Sequence, residues 1–223
     1  AEIAETDYES FSINQSTGEL SLKAQPDYET KSSYSVTILS TDEGGKTFSK
    51  SFTVSITDAN DAPTLTVPTG GSVTEDATTS TITGSLVGSD PEDDSLTYSV
   101  VGSTPSSGSY SVTGTYGTLV LNASTGAYTY TLNNSATVVQ ALGASSSETE
   151  TFSVKVSDGT NTPAAQNLVF TIKGANDAPS SVALDSTSVV ENSAGAIVGA
   201  LSGSDAEGTS VSYSVASSDD GAS

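Results

Sequence analysis

The chain has 223 residues, of which 27 are acidic and 6 basic, and its formal net charge at pH 7 is −21. Such a charge repels nucleic acid and anionic lipid and attracts cations. Cysteine, histidine and tryptophan are absent from the sequence, which excludes disulfides, Cys/His metal sites and histidine-based catalytic triads. No stretch approaches about 18 continuous apolar residues, so we expect no membrane insertion by this chain.

Short runs that alternate apolar and polar residues occur along most of the chain, and a period of two is typical of half-buried strands. Turn-forming Gly, Ser, Asn and Asp residues separate the runs, which favours an antiparallel all-β fold. One helical turn is predicted at 137–142. In chain order, the predicted strands are 11–13, 19–22, 34–38, 52–56, 81–87, 96–101, 118–121, 128–132, 152–156 and 168–172.

An internal repeat organises the sequence. The phrase Asp-Ala-Asn-Asp-Ala-Pro at 58–63 recurs at 174–179 with glycine in the first position, and its two prolines lie 116 residues apart. Glu75 and Glu191 show the same spacing, while Gly-Ser-Asp and Tyr-Ser-Val motifs recur 115 residues apart. The repeat predicts three segments: a first segment at 1–63, a complete repeat at 64–179 and a final segment at 180–223.

The first and final segments are predicted to be complementary parts of one repeat. The first contains only the later motifs of a repeat and the final one only the opening motifs. Together they contain 107 residues, close to the 116 of the complete repeat. We therefore expect one of two arrangements: the chain is one period of a longer array, or neighbouring chains exchange halves head to tail.

The first segment carries six short motifs in order: Phe11-Ser12-Ile13, 16–20, Asp27-Tyr28-Glu29, 34–36, 40–44 and 58–63. In this order they resemble the pattern of a cadherin repeat. The final segment supplies the opening of that pattern. The middle segment resembles the bacterial cadherin-like type called a VCBS repeat, found in large RTX-type surface adhesins, but it has Ala127-Tyr128-Thr129-Tyr130 where Asp-x-Glu is expected.

The resemblance implies tandem Greek-key β-sandwiches of the Ig-like kind, with Ca²⁺ sites at each junction between repeats. Calcium binds about six to eight oxygen ligands, such as carboxylates, side-chain amides and backbone carbonyls. At the first junction, the resemblance nominates Asp27, Glu29, Asp58, Asn60, Asp61, Asp90, Glu92 and Asp158. At the second it nominates Glu75, Asn176, Asp177, Asp205 and Glu207.

Two further carboxylates are nominated as calcium ligands. Glu191 of an adjoining part-repeat would complete the upstream ligands of the first junction, and Asp42 would face the junction that precedes it. The second junction has Gly174 where the first has Asp58 and lacks an Asp-x-Glu pair. We therefore expect fewer ions and a softer hinge there.

Alternatives remain open for these residues. Scattered acidic side chains often form only a solvated surface, and Asn-Asp pairs often mark only turns. Paired carboxylates also serve glycosidases, but nothing here supplies an aromatic sugar platform, so the chain is not expected to be an enzyme. Carbohydrate or homophilic binding would instead use a tyrosine cluster, for which the candidates are Tyr110, Tyr116, Tyr128 and Tyr130.

The function implied by the resemblance is mechanical. We expect calcium-rigidified extender repeats on the outside of a bacterial cell, part of an adhesin that mediates adhesion or biofilm formation by projecting distal binding domains. The expected partners are the neighbouring repeats of the same array. A surface glycan or an identical domain is a further candidate partner, and nucleic acid is not.

Overall fold

The structure, a computed structural model, describes residues 7–192 and 194–215. The chain divides into two compact units. The first unit is Ala1–Ala62 with Asp90–Asp94, and the second is Pro63–Ser89 with Ser95–Ser223. None of the helices in the described part of the chain is long and apolar enough to cross a membrane.

The described residues of the first unit form two hairpins. Strands β1 (Phe11–Ile13) and β2 (Leu20–Leu22) form the first hairpin, after a 3-10 turn at Tyr8–Ser10. Strands β3 (Ser33–Thr41) and β4 (Thr47–Ser55) form the second and pair antiparallel along their full length.

The packing of the first unit is shallow. Phe11 and Val36 are buried, and the ring of Phe11 meets the ring of Tyr34 edge-on at a centroid distance of 6.0 Å. Other large apolar side chains of the unit, including Phe48 and Phe52, remain exposed. The hairpins therefore bury only part of their apolar surface.

The second unit carries the main core. Its elements up to residue 173 are β5 (Thr64–Thr66), β6 (Ser72–Thr74), β7 (Thr81–Ser85), β8 (Val87–Ser89), β9 (Thr97–Val100), β10 (Ser109–Thr113), β11 (Gly117–Asn122), β12 (Ala127–Leu132), α1 (Thr137–Gln140), β13 (Ser147–Ser157) and β14 (Gln166–Lys173). Strands β15 (Ser181–Leu184) and β16 (Leu201–Ser204) follow and pair with each other.

Two four-stranded sheets enclose this core. One has the strand order β10-β11-β12-β7 and the other β6-β14-β13-β9, while β5 pairs with β8. All pairings are antiparallel except that of β6 with β14, which is parallel. The predicted all-β sandwich is thus confirmed.

Aromatic rings join the two sheets. Tyr130 of β12 stacks on Phe170 of β14 with ring centroids 4.3 Å apart and planes 13° apart, and Phe152 of β13 packs against both rings. Stacked and edge-on aromatic pairs add to the free energy gained by burying their area. This aromatic group fixes how the sheets face each other.

All ten predicted strand regions contain strands, but their boundaries shift. The run 81–87 divides into β7, which pairs with β12, and β8, which pairs with β5 in a different sheet. The sequence reading missed β5, β6, β10, β15 and β16. Four of these have three or four residues, too few to show alternation, and their pairing partners define them instead.

A buried carboxylate, which the sequence reading also missed, holds the β10–β11 turn. Glu150 of β13 accepts hydrogen bonds from the backbone N–H groups of Thr115, Tyr116 (2.9 Å) and Gly117 (3.1 Å). The Tyr130 hydroxyl also donates to it, at 2.7 Å. Burial and this bond raise the pKa of Tyr130, which keeps the hydroxyl a donor. Four donors thus compensate the desolvation of one charge.

We predict that Glu150→Ala destabilises the protein by about 3–5 kcal/mol, because it leaves buried donors without an acceptor. Glu148→Ala on the same strand is the matched control, since Glu148 is exposed; it should change stability by no more than about 0.5 kcal/mol. Urea unfolding followed by circular dichroism measures both. Equal effects would show that the four bonds to Glu150 do not stabilise the fold.

Candidate metal centres

Three carboxylates of the first unit converge. Glu29, Asp58 and Glu92 each place an oxygen so that all three oxygens lie within 4.8 Å of one another. Glu29 follows the β2 strand, Asp58 follows β4, and Glu92 lies beyond Pro63 in the chain. We call these residues, with Asp90, the first acidic cluster. Its residues come from chain segments on both sides of residues 60–63.

Asp90 and Glu92 each present a buried oxygen with no hydrogen-bond partner. Asp90 is buried, and its Oδ1 accepts from the backbone N–H groups of Glu92 and Asp94, both at 3.2 Å, while Oδ2 has no partner. Glu92 Oε2 accepts from the Asp61 N–H at 3.3 Å, while Oε1 has no partner. Burial, with Glu29 and Asp90 nearby, raises the pKa of Glu92. Such oxygens are costly to bury unless a cation compensates them.

Other nominated ligands line the same region of the first unit. A cleft of about 410 Å³ is lined by Asp27, Glu29 and Asp61 among other residues. Both carboxylate oxygens of Asp27 accept from Thr30, from the backbone N–H (3.0 Å) and from the hydroxyl (2.9 Å), and these bonds lower its pKa. The Asn60 side chain donates to the Asp61 carbonyl at 2.7 Å, which shapes the linker backbone.

The second unit holds a related arrangement, which we call the second acidic cluster: Glu75, Asp76, Asp177 and Glu207. Glu75 Oε1 accepts from the Ala175 N–H at 2.6 Å, and Glu207 Oε1 accepts from the Asp177 N–H at 2.7 Å. The remaining oxygens, Glu75 Oε2, Asp177 Oδ2 and Glu207 Oε2, are buried without a hydrogen-bond partner. Among the described residues, however, only the first cluster brings three carboxylate oxygens within 4.8 Å.

The charges of the second cluster repel one another. Burial raises the pKa of Glu75, and the charges of Asp177, Asp76 and Glu207 raise it further. The pKa of Asp177 is raised as well, first by its side-chain contact with Asp76 and then by burial and neighbouring carboxylates. The ionised cluster is therefore destabilising without a positive charge beside it.

Sequence reasoning missed Asp76, which lies next to the nominated Glu75. The side chain of Asn134 donates to the Asp76 carboxylate at 2.5 Å, and Asn134 Oδ1 accepts from the Asp76 N–H at 2.9 Å. These bonds hold Asp76 at a positive φ of 54°. The adjacent carboxylates of Glu75 and Asp76 are visible in the sequence and could have indicated that Asp76 belongs to the cluster. The contact with Asn134, 58 residues away, could not be predicted from the sequence.

The other nominated residues take local roles in the structure. Asp158 Oδ1 accepts from the N–H groups of its own turn, and Asp42 Oδ1 accepts from the Lys46 N–H at 2.7 Å in the β3–β4 turn. Asp205 accepts from Thr209, at 2.8 Å from its hydroxyl. The Asn176 side chain donates to the Asp177 carbonyl at 2.7 Å, as Asn60 does to Asp61. Glu191 is exposed.

The tyrosine cluster that would favour carbohydrate binding is largely inside the fold. Tyr128 and Tyr130 are buried in the core of the second unit, and Tyr110 and Tyr116 pack against that core. Rings in these positions do not form an exposed stacking platform. The structure therefore gives the binding alternative no support from these residues.

Comparison with known families follows the same division of the chain. The family model described as a bacterial cadherin-like domain matches residues 60–174. The chain belongs to the bacterial cadherin-like domain family. The model of the cadherin domain matches residues 1–57, so this bacterial cadherin-like chain combines two related repeat types.

Solved cadherin structures share the fold. Cadherin domains 1–4 of protocadherin gamma B7 match with a TM-score of 0.56 and 19% identity, over 88% of this chain and 47% of theirs. Domains 3–6 of protocadherin gamma B2 match with a TM-score of 0.52 and 19% identity, over 89% and 45%. Mouse protocadherin-24 EC1-3 matches at 0.50 and 18%, over 92% and 65%. The bacterial cadherin-like chain thus spans less than two thirds of each.

Both acidic clusters fit a hard divalent cation. Their donors are oxygens alone, supplied by carboxylates together with nearby amide and backbone oxygens, which is the set that calcium prefers. Among the described residues, five of these carboxylate oxygens are buried without a hydrogen-bond partner, two in the first cluster and three in the second. A bound cation would compensate them.

We predict that Glu75→Gln raises the melting temperature of the protein in EDTA at pH 7. Because the pKa of Glu75 is raised in the folded state, its ionised form costs stability at neutral pH, and that cost declines as the pH falls toward the usual range of a glutamate. The substitution retains an Oε1 acceptor for the Ala175 N–H.

Glu148→Gln, at an exposed site of the same unit, is the matched control. It should leave the melting temperature unchanged, and the gain from Glu75→Gln should shrink as the pH is lowered toward 4.5. A loss of stability in EDTA would contradict this account of the second cluster.

Proposed function

We propose that this chain is a calcium-rigidified extender of a bacterial surface adhesin. The observation that carries the proposal is the set of five buried carboxylate oxygens without hydrogen-bond partners in two acidic clusters. Membership of the bacterial cadherin-like domain family supports an extracellular, adhesion-type role. Cadherin-like domains are structural and adhesive modules, which supports a mechanical function rather than catalysis.

The first acidic cluster would hold calcium through Glu29, Asp58, Asp90 and Glu92, with Asp27, Asn60 and Asp61 close by along the chain. Glu92 already accepts a hydrogen bond from the Asp61 N–H, so the linker backbone is oriented before an ion binds. Bound calcium supplies the positive charge that these carboxylates lack. Asp42 and Asp158 remain candidate ligands for ions at adjoining sites.

The second acidic cluster would hold calcium through Glu75, Asp177 and Glu207, with Asp76, Asn176 and Asp205 as further donors. Glu75, Asp177 and Glu207 lie far apart in the sequence, so an ion that binds all three ties separate chain segments together. Because fewer oxygens converge here than in the first cluster, this site would be weaker and its hinge more compliant. Glu191 would serve a site formed with an adjoining part-repeat.

Rigidity would follow from linkage. An ion that binds only the folded arrangement stabilises it, by about 2.7 kcal/mol when the free ion is at 100 times its dissociation constant. In calcium, consecutive repeats would be braced and the array would project its distal binding domains for adhesion or biofilm formation. In a low-calcium environment the same carboxylates would repel one another.

We predict that calcium raises the melting temperature of the protein well above its value in EGTA. Magnesium at the same concentration should have a much smaller effect, because it requires near-octahedral geometry and dehydrates reluctantly. Differential scanning calorimetry with matched ionic strength measures this. Equal stabilisation by calcium, magnesium and sodium would attribute the effect to screening and would refute the proposed sites.

We also predict that each cluster can be weakened separately. Glu92→Gln should lower calcium affinity at the first cluster, and Glu75→Gln at the second, each by at least about tenfold, which corresponds to about 1.4 kcal/mol. Isothermal titration calorimetry should then resolve the loss of one class of site in each variant. Glu148→Gln should titrate like the parent protein. If either cluster variant also does so, the assignment of that cluster is wrong.

A further inference from the structure

The connection between β12 and β13 lies where the first unit carries its Asp-x-Glu pair. Strands β2 and β12 each follow a Ser-Thr-Gly turn, and β3 and β13 are the next strands of their units. The β2–β3 connection spans 23–32 and contains Asp27 and Glu29. The β12–β13 connection spans 133–146, contains α1 and has no carboxylate in its sequence. A calcium site beside it must therefore take its carboxylates from other segments.

The β12–β13 connection fills the space beside Gly174, the residue that stands where the first phrase has Asp58. A Cβ added to Gly174 would lie 2.3 Å from the carbonyl oxygens of both Leu142 and Gly143, closer than such atoms approach in proteins. The Gly174 N–H also donates to the Ser146 carbonyl at 3.1 Å, which ties the two segments together. Packing therefore requires glycine at this position.

The same connection holds the carboxylate of Asp76. The side-chain amide of Asn134 donates to Asp76 Oδ1 at 2.5 Å, and Asn134 Oδ1 accepts from the Asp76 N–H at 2.9 Å. Gln140 of α1 donates to the Asn134 carbonyl at 2.9 Å, and its amide nitrogen lies 3.5 Å from Asp76 Oδ1. Both amides approach the same carboxylate oxygen. They orient Asp76 without neutralising its charge.

The oriented Asp76 lies against other acids of the second acidic cluster. Its side chain contacts that of Asp177, and its charge acts on Glu75. Glu75 is 1% exposed, and its Oε2 has no hydrogen-bond partner. Asp177 Oδ2 is also buried without a partner. Like charges held together in this way are unfavourable unless a cation lies among them.

The described part of the chain does not itself supply that cation. Lys173 is the closest candidate, because its carbonyl accepts from the Glu75 N–H at 3.0 Å. Its side chain is exposed at the end of β14, and it forms no ion pair among the described residues. Asn134 and Gln140 are neutral. The arrangement therefore positions a negative charge for a cation from solution.

We propose that Asp76 is a calcium ligand of the second acidic cluster and that Asn134 positions it, so that the β12–β13 connection takes the place of the missing Asp-x-Glu pair. This inference rests on the proposed function, since it requires calcium at that cluster. Asp76 and Glu75 are adjacent in the chain and would bind the same ion together with Asp177. Changes in the β12–β13 connection would then alter calcium affinity without touching a ligand.

Asn134→Ala tests the positioning, because it removes both bonds to Asp76 and leaves every proposed ligand in place. Groups that orient the ligands of a metal change its affinity by about 10–100-fold. We expect isothermal titration calorimetry to show a loss of at least about tenfold at the second cluster and none at the first. Asn133→Ala is the matched control, since Asn133 is exposed and its side chain bonds only to Ser135 among the described residues. It should titrate like the parent protein.

Melting temperatures in EGTA and in calcium separate positioning from a purely structural role. If Asn134 only stabilised its turn, Asn134→Ala would lower both temperatures equally and leave calcium affinity unchanged, which would overturn the inference. We expect the increase caused by calcium to shrink, because it depends on affinity. If Glu75→Gln also titrates like the parent, the proposed calcium site and this inference both fail. If Glu75→Gln weakens the site and Asn134→Ala does not, this inference alone fails.

Gly174→Asp tests whether the connection has replaced a ligand. The substitution restores the residue of the first phrase, so a site that merely lacked a carboxylate would bind calcium more tightly. Because the carbonyls of Leu142 and Gly143 leave no room, we expect a lower melting temperature and no gain in affinity. Gly174→Ala should also lower the melting temperature. Gly143→Ala is its control, since a Cβ there would lie 3.7 Å from Glu207 Cγ, an ordinary contact. Tighter calcium binding by Gly174→Asp would contradict the inference.

Discussion

Repulsion among clustered carboxylates is the constraint on which the rest of the structure depends. With a net charge of −21 the chain has few cations of its own, and Lys31 with Asp7 is the one ion pair found in the described residues. Yet five members of the two clusters each have one buried oxygen without a hydrogen-bond partner: Glu75, Asp90, Glu92, Asp177 and Glu207. A cation bound beside these oxygens would stabilise the fold, and the proposed mechanical role of the protein rests on that stabilisation.

Different interactions stabilise the core of the second unit and the acidic clusters. Tyr130, Phe152 and Phe170 join the two sheets of the second unit, and the Glu150 carboxylate holds a turn with protein donors alone. The clusters instead lie on linkers and turns, where backbone N–H groups satisfy one carboxylate oxygen and leave the other free for a ligand. Protein groups donate hydrogen bonds to both carboxylate oxygens of the buried Glu150. The unpartnered oxygens of the clusters differ from it in this respect, which supports a ligand-binding role for them.

Much of this could be predicted from the sequence, for identifiable reasons. The alternation of apolar and polar residues predicted the longer strands. The repeated Asn-Asp-Ala-Pro phrase led to the nomination of Asp61, Asp177 and their neighbours as calcium ligands. Short strands such as β5 and β6 could not be predicted, because pairing with β8 and β14 defines them. Asp76 and Glu150 were missed for the same reason: the groups that hold them, Asn134 and the turn at Thr115–Gly117, are distant in sequence and meet them only in the folded chain.

The most direct test of the central claim is a crystal structure of the calcium-loaded chain, with the ions identified by anomalous scattering. The account predicts calcium in both clusters, with the free oxygens of Asp90 and Glu92 as ligands in the first and those of Glu75, Asp177 and Glu207 in the second. Well-ordered crystals grown in calcium in which these oxygens bind no ion, and are instead satisfied by protein groups, would contradict it.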